Sequence, residues 1–175
     1  MPALSPTQHK GQNGKVAVLG GSQEYTGAPF YAAASSLRVG ADMSHIFTPD
    51  SSALIPIKCY SPEIIVHPAE TSGEVVSWLK AIHSFVIGPG LGRNQNLEKY
   101  LEDVLKAVEE QENLKIVGDA DFLFFLNNSE VLRDYVSKLA SRVVLTPNKV
   151  EFERLKSVLN VSGDINPELE AETCE

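Results

Sequence analysis

Three short stretches of this sequence combine residue types that do chemistry with positions where a chain can present them. The first is Gly20-Gly21-Ser22, with Tyr25-Thr26-Gly27-Ala28-Pro29 a few residues on. Glycines let a backbone come close to a phosphate or nucleotide, and a helix start beyond them offers unpaired N–H groups to an anion. A tight strand-to-helix turn would use the same glycines. The second stretch is Gly88-Pro89-Gly90-Leu91-Gly92-Arg93. Alternate glycines beside an Arg make an anion cradle in which backbone donors are supplemented by a guanidinium. It departs from the GxGxxG dinucleotide fingerprint: the third glycine is one residue early, and no acidic residue ends an obvious second strand about 20 residues on.

The third stretch runs Leu145-Thr146-Pro147-Asn148-Lys149-Val150-Glu151-Phe152-Glu153-Arg154. A helix started by Pro147 would carry partial positive charge at its N-terminus, and Asn148, Lys149, Glu151 and Arg154 would add donors and acceptors to orient a polar ligand. Asn148 with Glu151 three residues later reads equally well as a capping box. Between the second and third stretches, Asp119 and Asp121 follow an apolar run. They are candidates for contact with a metal or a ligand hydroxyl, and turn formation is the simpler use of aspartates there.

Short β-rich runs alternate with longer helical patterns, and the chemically useful stretches fall just after the runs. Lys15 to Leu19, Ser44 to Thr48, Glu63 to His67, Ser84 to Ile87, Leu114 to Val117 and Arg142 to Thr146 read as six strands. Several are apolar on successive residues, as in a sheet covered on both faces by helices. The expected fold is α/β, a doubly wound, mostly parallel sheet. The clearest helix places Leu97, Leu101, Val104, Leu105 and Val108 on one face, with Asn94 or Asn96 as its cap. Val131, Leu132, Tyr135, Val136 and Leu139 form a second stripe, and Phe152, Leu155, Val158 and Leu159 a third; all three stripes are expected in the core. One domain is expected over residues 1–161, followed by a polar acidic tail over 162–175.

The net charge of −8 argues against bulk attraction to nucleic acid or anionic membrane, so any phosphate must be held locally. Cys59 and Cys174 have no metal-type spacing and imply no disulfide framework. No apolar run approaches the roughly 20 residues of a membrane span, and the first ten residues lack a signal-peptide layout. The expected address is cytoplasmic, with a mitochondrial isoform left open.

His9-Lys10-Gly11 through Gly14-Lys15-Val16, Gly20-Gly21-Ser22 through Pro29, Arg38-Val39-Gly40-Ala41-Asp42, Tyr60-Ser61-Pro62-Glu63-Ile64-Ile65-Val66-His67-Pro68, Gly88 through Arg93 and Leu145 through Phe152 occur in one order. In these six segments the chain resembles the eukaryotic ATP-dependent NAD(P)H-hydrate dehydratases, of the ribokinase-like fold, from about His9 to about Leu159. The resemblance implies that ATP drives loss of water from the S epimer of NADHX or NADPHX, giving NADH or NADPH, ADP and phosphate. It implies ATP as co-substrate with Mg2+, and contact with the hydrated nucleotide by Gly90, Gly92, Asn148, Lys149, Val150, Glu151, Phe152, Glu153 and Arg154. A homo-oligomer acting on a small molecule, without nucleic acid or membrane, is expected.

Two departures from the family pattern stand out. Members continue into a Lys-Gly stretch and a Gly-Ser-Gly-Asp turn that supply the ATP cradle and the catalytic Asp, whereas Ser162-Gly163-Asp164 sits in a polar tail. The sheet is therefore expected to be C-terminally truncated, with poor solubility or dependence on a partner, and its catalytic base is not named. At Val117-Gly118-Asp119-Ala120-Asp121-Phe122, Phe122 puts a ring where a backbone would approach a ligand, and Gly118 weakens the strand. The alternative is an inactive nucleotide-binding or oligomerisation module of the same family.

Overall fold

The computed structural model describes residues 10–159. The 162–175 tail, with Ser162-Gly163-Asp164 and Cys174, lies outside the described residues. Six strands form one parallel sheet: β1 (Lys15–Leu19), β2 (Met43–Thr48), β3 (Ile65–Pro68), β4 (Ser84–Ile87), β5 (Lys115–Gly118) and β6 (Val143–Leu145). Their spatial order is β3-β2-β1-β4-β5-β6. The order reverses between β1 and β4, and open α/β sheets bind their ligands outside the carboxyl ends of the strands at such a switch point.

The strands come where apolar residues run together, with small differences at their ends. β3 starts at Ile65 rather than Glu63, because the Ser61 hydroxyl accepts the Glu63 N–H (3.2 Å) in the turn that precedes it. Pro68 closes the strand, which its place on an edge permits.

Among the described residues seven helices accompany the strands: α1 (Gly27–Arg38), α2 (Ser51–Lys58), α3 (Ser72–Val76), α4 (Asn96–Glu109), α5 (Asp121–Asn128), α6 (Glu130–Lys138) and α7 (Lys149–Leu159). Alternate residues of β1 point to opposite faces. Ala17 and Leu19 join a core with α3 to α7, while Val18 joins a smaller one with α1 and α2. The α4 stripe is buried as its periodicity requires, together with Tyr100. Asn96 does not cap that helix; the Asn94 side chain accepts the Asn96 N–H (3.1 Å), and Gln95 stands at the cap.

Two expectations about covering are corrected. Val18, Val86, Val117 and Val144 form one cross-strand row on the α1/α2 face. Val18 is fully buried and Val144 is 61% exposed, because α1 and α2 reach only over β1 to β3. Helices therefore cover both faces on that half of the sheet alone. In the third helical stripe only Leu155 is buried, and Leu159 is exposed, since α7 packs chiefly on α5. In the second stripe Leu132 and Leu139 are buried, while Val131 is half exposed.

Candidate functional site

Four turns leave the carboxyl ends of β1, β4, β5 and β6 side by side, and three glycines let them touch. A Cβ on Gly20 would fall 2.1 Å from the Pro89 carbonyl oxygen, and one on Gly88 would fall 1.9 Å from that of Asp119. A Cβ on Gly118 would meet the Phe122 ring at 2.6 Å and Leu145 at 2.8 Å. Each distance is far inside van der Waals contact, so these positions exclude any side chain. Main-chain hydrogen bonds continue the sheet into the turns: Gly21 N–H to Pro89 O (3.2 Å), Gly88 N–H to Leu19 O (3.0 Å) and Thr146 N–H to Gly118 O (3.1 Å).

This arrangement corrects the reading of Gly118 and Phe122. The Phe122 ring is fully buried under the turn, away from any approaching ligand. Gly118 makes room for it and remains the paired last residue of β5.

Gly90 and Gly92 have φ of 61° and 81°, in the left-handed region that favours glycine. Gly90 also packs against the first turn, where a Cβ would lie 2.7 Å from Tyr25 O. The Gly92 N–H donates to Asp121 Oδ2 (3.0 Å), and Arg93 Nε donates to Asp121 Oδ1 (2.9 Å). Arg93 also lies over the Phe124 ring, 4.5 Å from its centroid. Its guanidinium is thus drawn toward α5 rather than standing free over the glycines.

Asp119 reaches the other way: its Oδ1 accepts the Thr146 hydroxyl proton at 2.7 Å. Ala120 between them has φ 48° and ψ −115°, a conformation rare for a residue with a Cβ. The two aspartates therefore tie the post-β5 turn to its neighbours on either side. Among the described residues no three His, Cys, Asp or Glu side chains gather as metal ligands. Both oxygens of Asp121 and one oxygen of Asp119 are thus engaged by the protein itself.

Beyond β6, the capping box forms: Asn148 N–H donates to Glu151 Oε2 (2.9 Å), and Glu151 N–H to Asn148 Oδ1 (3.0 Å). Both side chains are thus occupied in starting α7. Lys149, Val150, Glu153 and Arg154 are exposed, and Phe152 is half-buried. Neither Lys149 nor Arg154 forms an ion pair among the described residues.

A cleft of about 760 Å³ opens on the β1 to β3 side of the Gly88 to Arg93 loop. Its walls include Ser22, Glu24, Asp50, Glu70, Arg93 and Tyr100. Asp50 caps α2 by accepting the Ser52 N–H (2.9 Å) and hydroxyl (2.6 Å), and it holds the Gln23 N–H at 2.8 Å. The Ser52 hydroxyl, foremost among these donors, keeps its carboxyl below the usual range. Tyr100 donates to the Ala69 carbonyl (2.8 Å), and burial pushes its phenol upward. The Ser22 hydroxyl oxygen is buried without a hydrogen-bond partner. Sequence reasoning singled out Ser22 and Arg93 but missed Glu24, Asp50 and Glu70, although an acidic residue two places after β2 was visible. A second cleft, of about 510 Å³, lies by Arg38, Asp42 and Glu63, near the amino ends of β2 and β3.

A parallel sheet of this order, with close-packed glycine turns at its switch point, defines a doubly wound α/β protein whose ligands belong at the carboxyl ends of its strands. The family model for NAD(P)H-hydrate dehydratase matches residues 16–174, and the chain belongs to that family. It is 46% identical over 171 residues to the ATP-dependent (S)-NAD(P)H-hydrate dehydratase of Nematostella vectensis, covering 94% of this chain and 47% of that protein. For the Homo sapiens enzyme of the same name the identity is 46% over 159 residues, covering 89% and 44%. The chain thus spans about half the length of the curated relatives it matches.

Solved structures show the same fold. A ribokinase-like superfamily protein of Enterococcus faecalis superposes with a TM-score of 0.73 at 21% identity, covering 91% of this chain and 55% of its own. The ADP/ATP-dependent NAD(P)H-hydrate dehydratase of Bacillus subtilis, co-crystallised with ATP/Mg2+, gives 0.60 at 23%, covering 90% and 52%. The fold is ribokinase-like. Among the described residues no helix is long and apolar enough to cross a membrane.

Proposed function

We propose that this chain is the substrate-recognising part of an enzyme that uses ATP to remove water from the S epimer of NADHX or NADPHX. The products are NADH or NADPH, with ADP and phosphate. The carrying observation is the seating of the Gly88 to Arg93 loop at the switch point, packed against the post-β1 turn and held by Asp121. In this reading the hydrated nicotinamide nucleotide lies across that loop, near Gly90 and Gly92, and reaches the start of α7. Lys149 and Arg154 supply cations for its phosphates, and Asn148 to Glu153 frame the helix N-terminus. The ATP requirement belongs to the whole protein, since the chain spans about half the length of its curated relatives, and no residue of this chain is given the phosphoryl-transfer step. A homo-oligomer in the cytosol completes the reading.

The test is equilibrium binding of NADHX to the purified chain, with and without ATP and magnesium, followed by absorbance for regenerated NADH. Saturable binding is expected without regeneration. Absence of binding refutes the reading, and regeneration would place the catalytic groups within these residues.

A further inference from the structure

Four of the five tyrosines have a ring or hydroxyl already in use. Tyr31 meets the Phe30 ring at 5.6 Å between centroids, and the Tyr60 hydroxyl bonds that of Thr26 (2.7 Å). Tyr100 donates to the Ala69 carbonyl (2.8 Å), and the Lys138 ammonium lies 5.0 Å over the Tyr135 ring. Tyr25 is the exception. It is 56% exposed, and among the described residues its side chain has neither a hydrogen bond nor a ring contact.

Its main chain, by contrast, is fixed. The Tyr25 N–H donates to Ser22 O (3.1 Å), and Tyr25 O accepts the Ser22 N–H (3.4 Å), closing the turn that follows β1. A Cβ on Gly90 would lie 2.7 Å from Tyr25 O and 2.8 Å from the Tyr25 Cβ, so the phenol is rooted directly against the glycine loop. A ligand resting on Gly90 therefore lies within its reach. A tyrosine has only two side-chain torsions to order and brings a large flat face, so on a fixed backbone it supplies contact area at small entropic cost.

We infer that Tyr25 is a substrate-contacting residue whose phenol ring lies against the hydrated nicotinamide ring of a ligand seated on the glycine loop. The inference rests on the proposed substrate. Hydration saturates one double bond and leaves the ring nitrogen conjugated with the carboxamide through another, so a flat stretch of ring remains to lie on the phenol. The strand order then sorts the ligand. Tyr25 follows β1 and the start of α7 follows β6, on opposite sides of the loop after β4. The uncharged ring goes to Tyr25, and the phosphates go toward Lys149 and Arg154.

Titration calorimetry on the purified chain tests this with NADHX and with ADP-ribose, which lacks the nicotinamide ring. Tyr25→Ala is expected to weaken NADHX binding about tenfold and to leave ADP-ribose binding unchanged. Tyr25→Phe keeps the flat face and should recover the NADHX affinity. Both variants should keep the thermal transition of the parent chain, since the side chain is exposed and unpartnered. NADHX affinity unchanged in Tyr25→Ala overturns the inference and leaves the proposed substrate standing. Equal losses for NADHX and ADP-ribose also overturn it, by placing the ring on the other half of the ligand. A loss that Tyr25→Phe fails to recover overturns the ring contact in favour of the hydroxyl. A parent chain that binds no NADHX refutes the substrate reading itself, and the inference falls with it.

Discussion

The Asp121 carboxylate stands 3.0 Å from the Gly92 main-chain nitrogen, so a residue at the start of α5 fixes the loop that follows β4. The other oxygen holds Arg93, which closes a two-point clasp between turns 28 residues apart. Asp121→Ala frees both donors, at a cost of about 1–3 kcal/mol in stability. NADHX affinity should fall about tenfold as the loop loosens. Asp121→Asn keeps an acceptor for Gly92 and should recover most of the stability. Thermal denaturation paired with calorimetric titration separates the two effects, and unchanged affinity in Asp121→Ala would show that the clasp does not shape the binding loop.

Gly88 and Gly14 share a positive φ, 118° and 116°, and differ in their surroundings. A Cβ on Gly88 strikes the Asp119 carbonyl, whereas one on Gly14 meets nothing within 4 Å. Gly14→Ala therefore incurs backbone strain alone, about 1–2 kcal/mol. Gly88→Ala adds the separation of two packed turns and should cost more than about 3 kcal/mol. Urea denaturation of both variants measures the difference, and equal losses would mean that the turns are not in rigid contact.

The strands were legible because parallel strands inside a sheet read as short unbroken apolar runs, and the glycine turns because they punctuate those runs. The partners of Asp119 and Asp121 were not. Their carboxylates go to Thr146 and to Gly92 and Arg93, residues that only the strand order makes neighbours. Phe122 looked like an obstacle because its burial in the core is a property of the turn and not of the residue type. The α7 stripe was read as buried, and the sheet as covered on both faces, because apolar patterning marks a face that could be covered, and covering requires a second element. The capping box at Asn148 and Glu151 was legible, since its two bonds are local in sequence.

His45 and His67 meet across β2 and β3, with Nδ1 of one 3.0 Å from Nε2 of the other, beside Phe47 and Trp78. Burial chiefly holds both imidazoles below the ordinary value of 6.5, helped by Lys58 near His67 and by His67 and Lys15 near His45. Below about pH 6.5 the unfolded chain binds these protons before the folded chain does. Stability should therefore be full above that pH and fall as the pH drops through 6.5 toward the lowered folded values. Melting temperature measured from pH 7.5 to 5.5 should decline, with a smaller decline in His67→Phe, which removes one proton site and preserves the stack. An identical decline in the variant would assign the acid sensitivity to other groups.

Val144 lies on the strand that ends the sheet among the described residues, and it is 61% exposed on the part of its face that α1 and α2 do not cover. An apolar edge strand with one neighbour offers unpaired main-chain groups to another copy of itself. Val86 and Val117 extend the same surface inward, so the exposed area is a patch and not a single residue. A lysine there is the device natural edge strands use against pairing, and the solvent-facing position leaves the opposite core untouched. Val144→Lys is expected to lower self-association and raise solubility while changing the melting temperature little. Light scattering across a concentration series reads this directly: growth of the scattering mass in the parent chain and its suppression in the variant place the sticky surface at β6. A parent chain that stays monodisperse at high concentration shows instead that this edge is harmless.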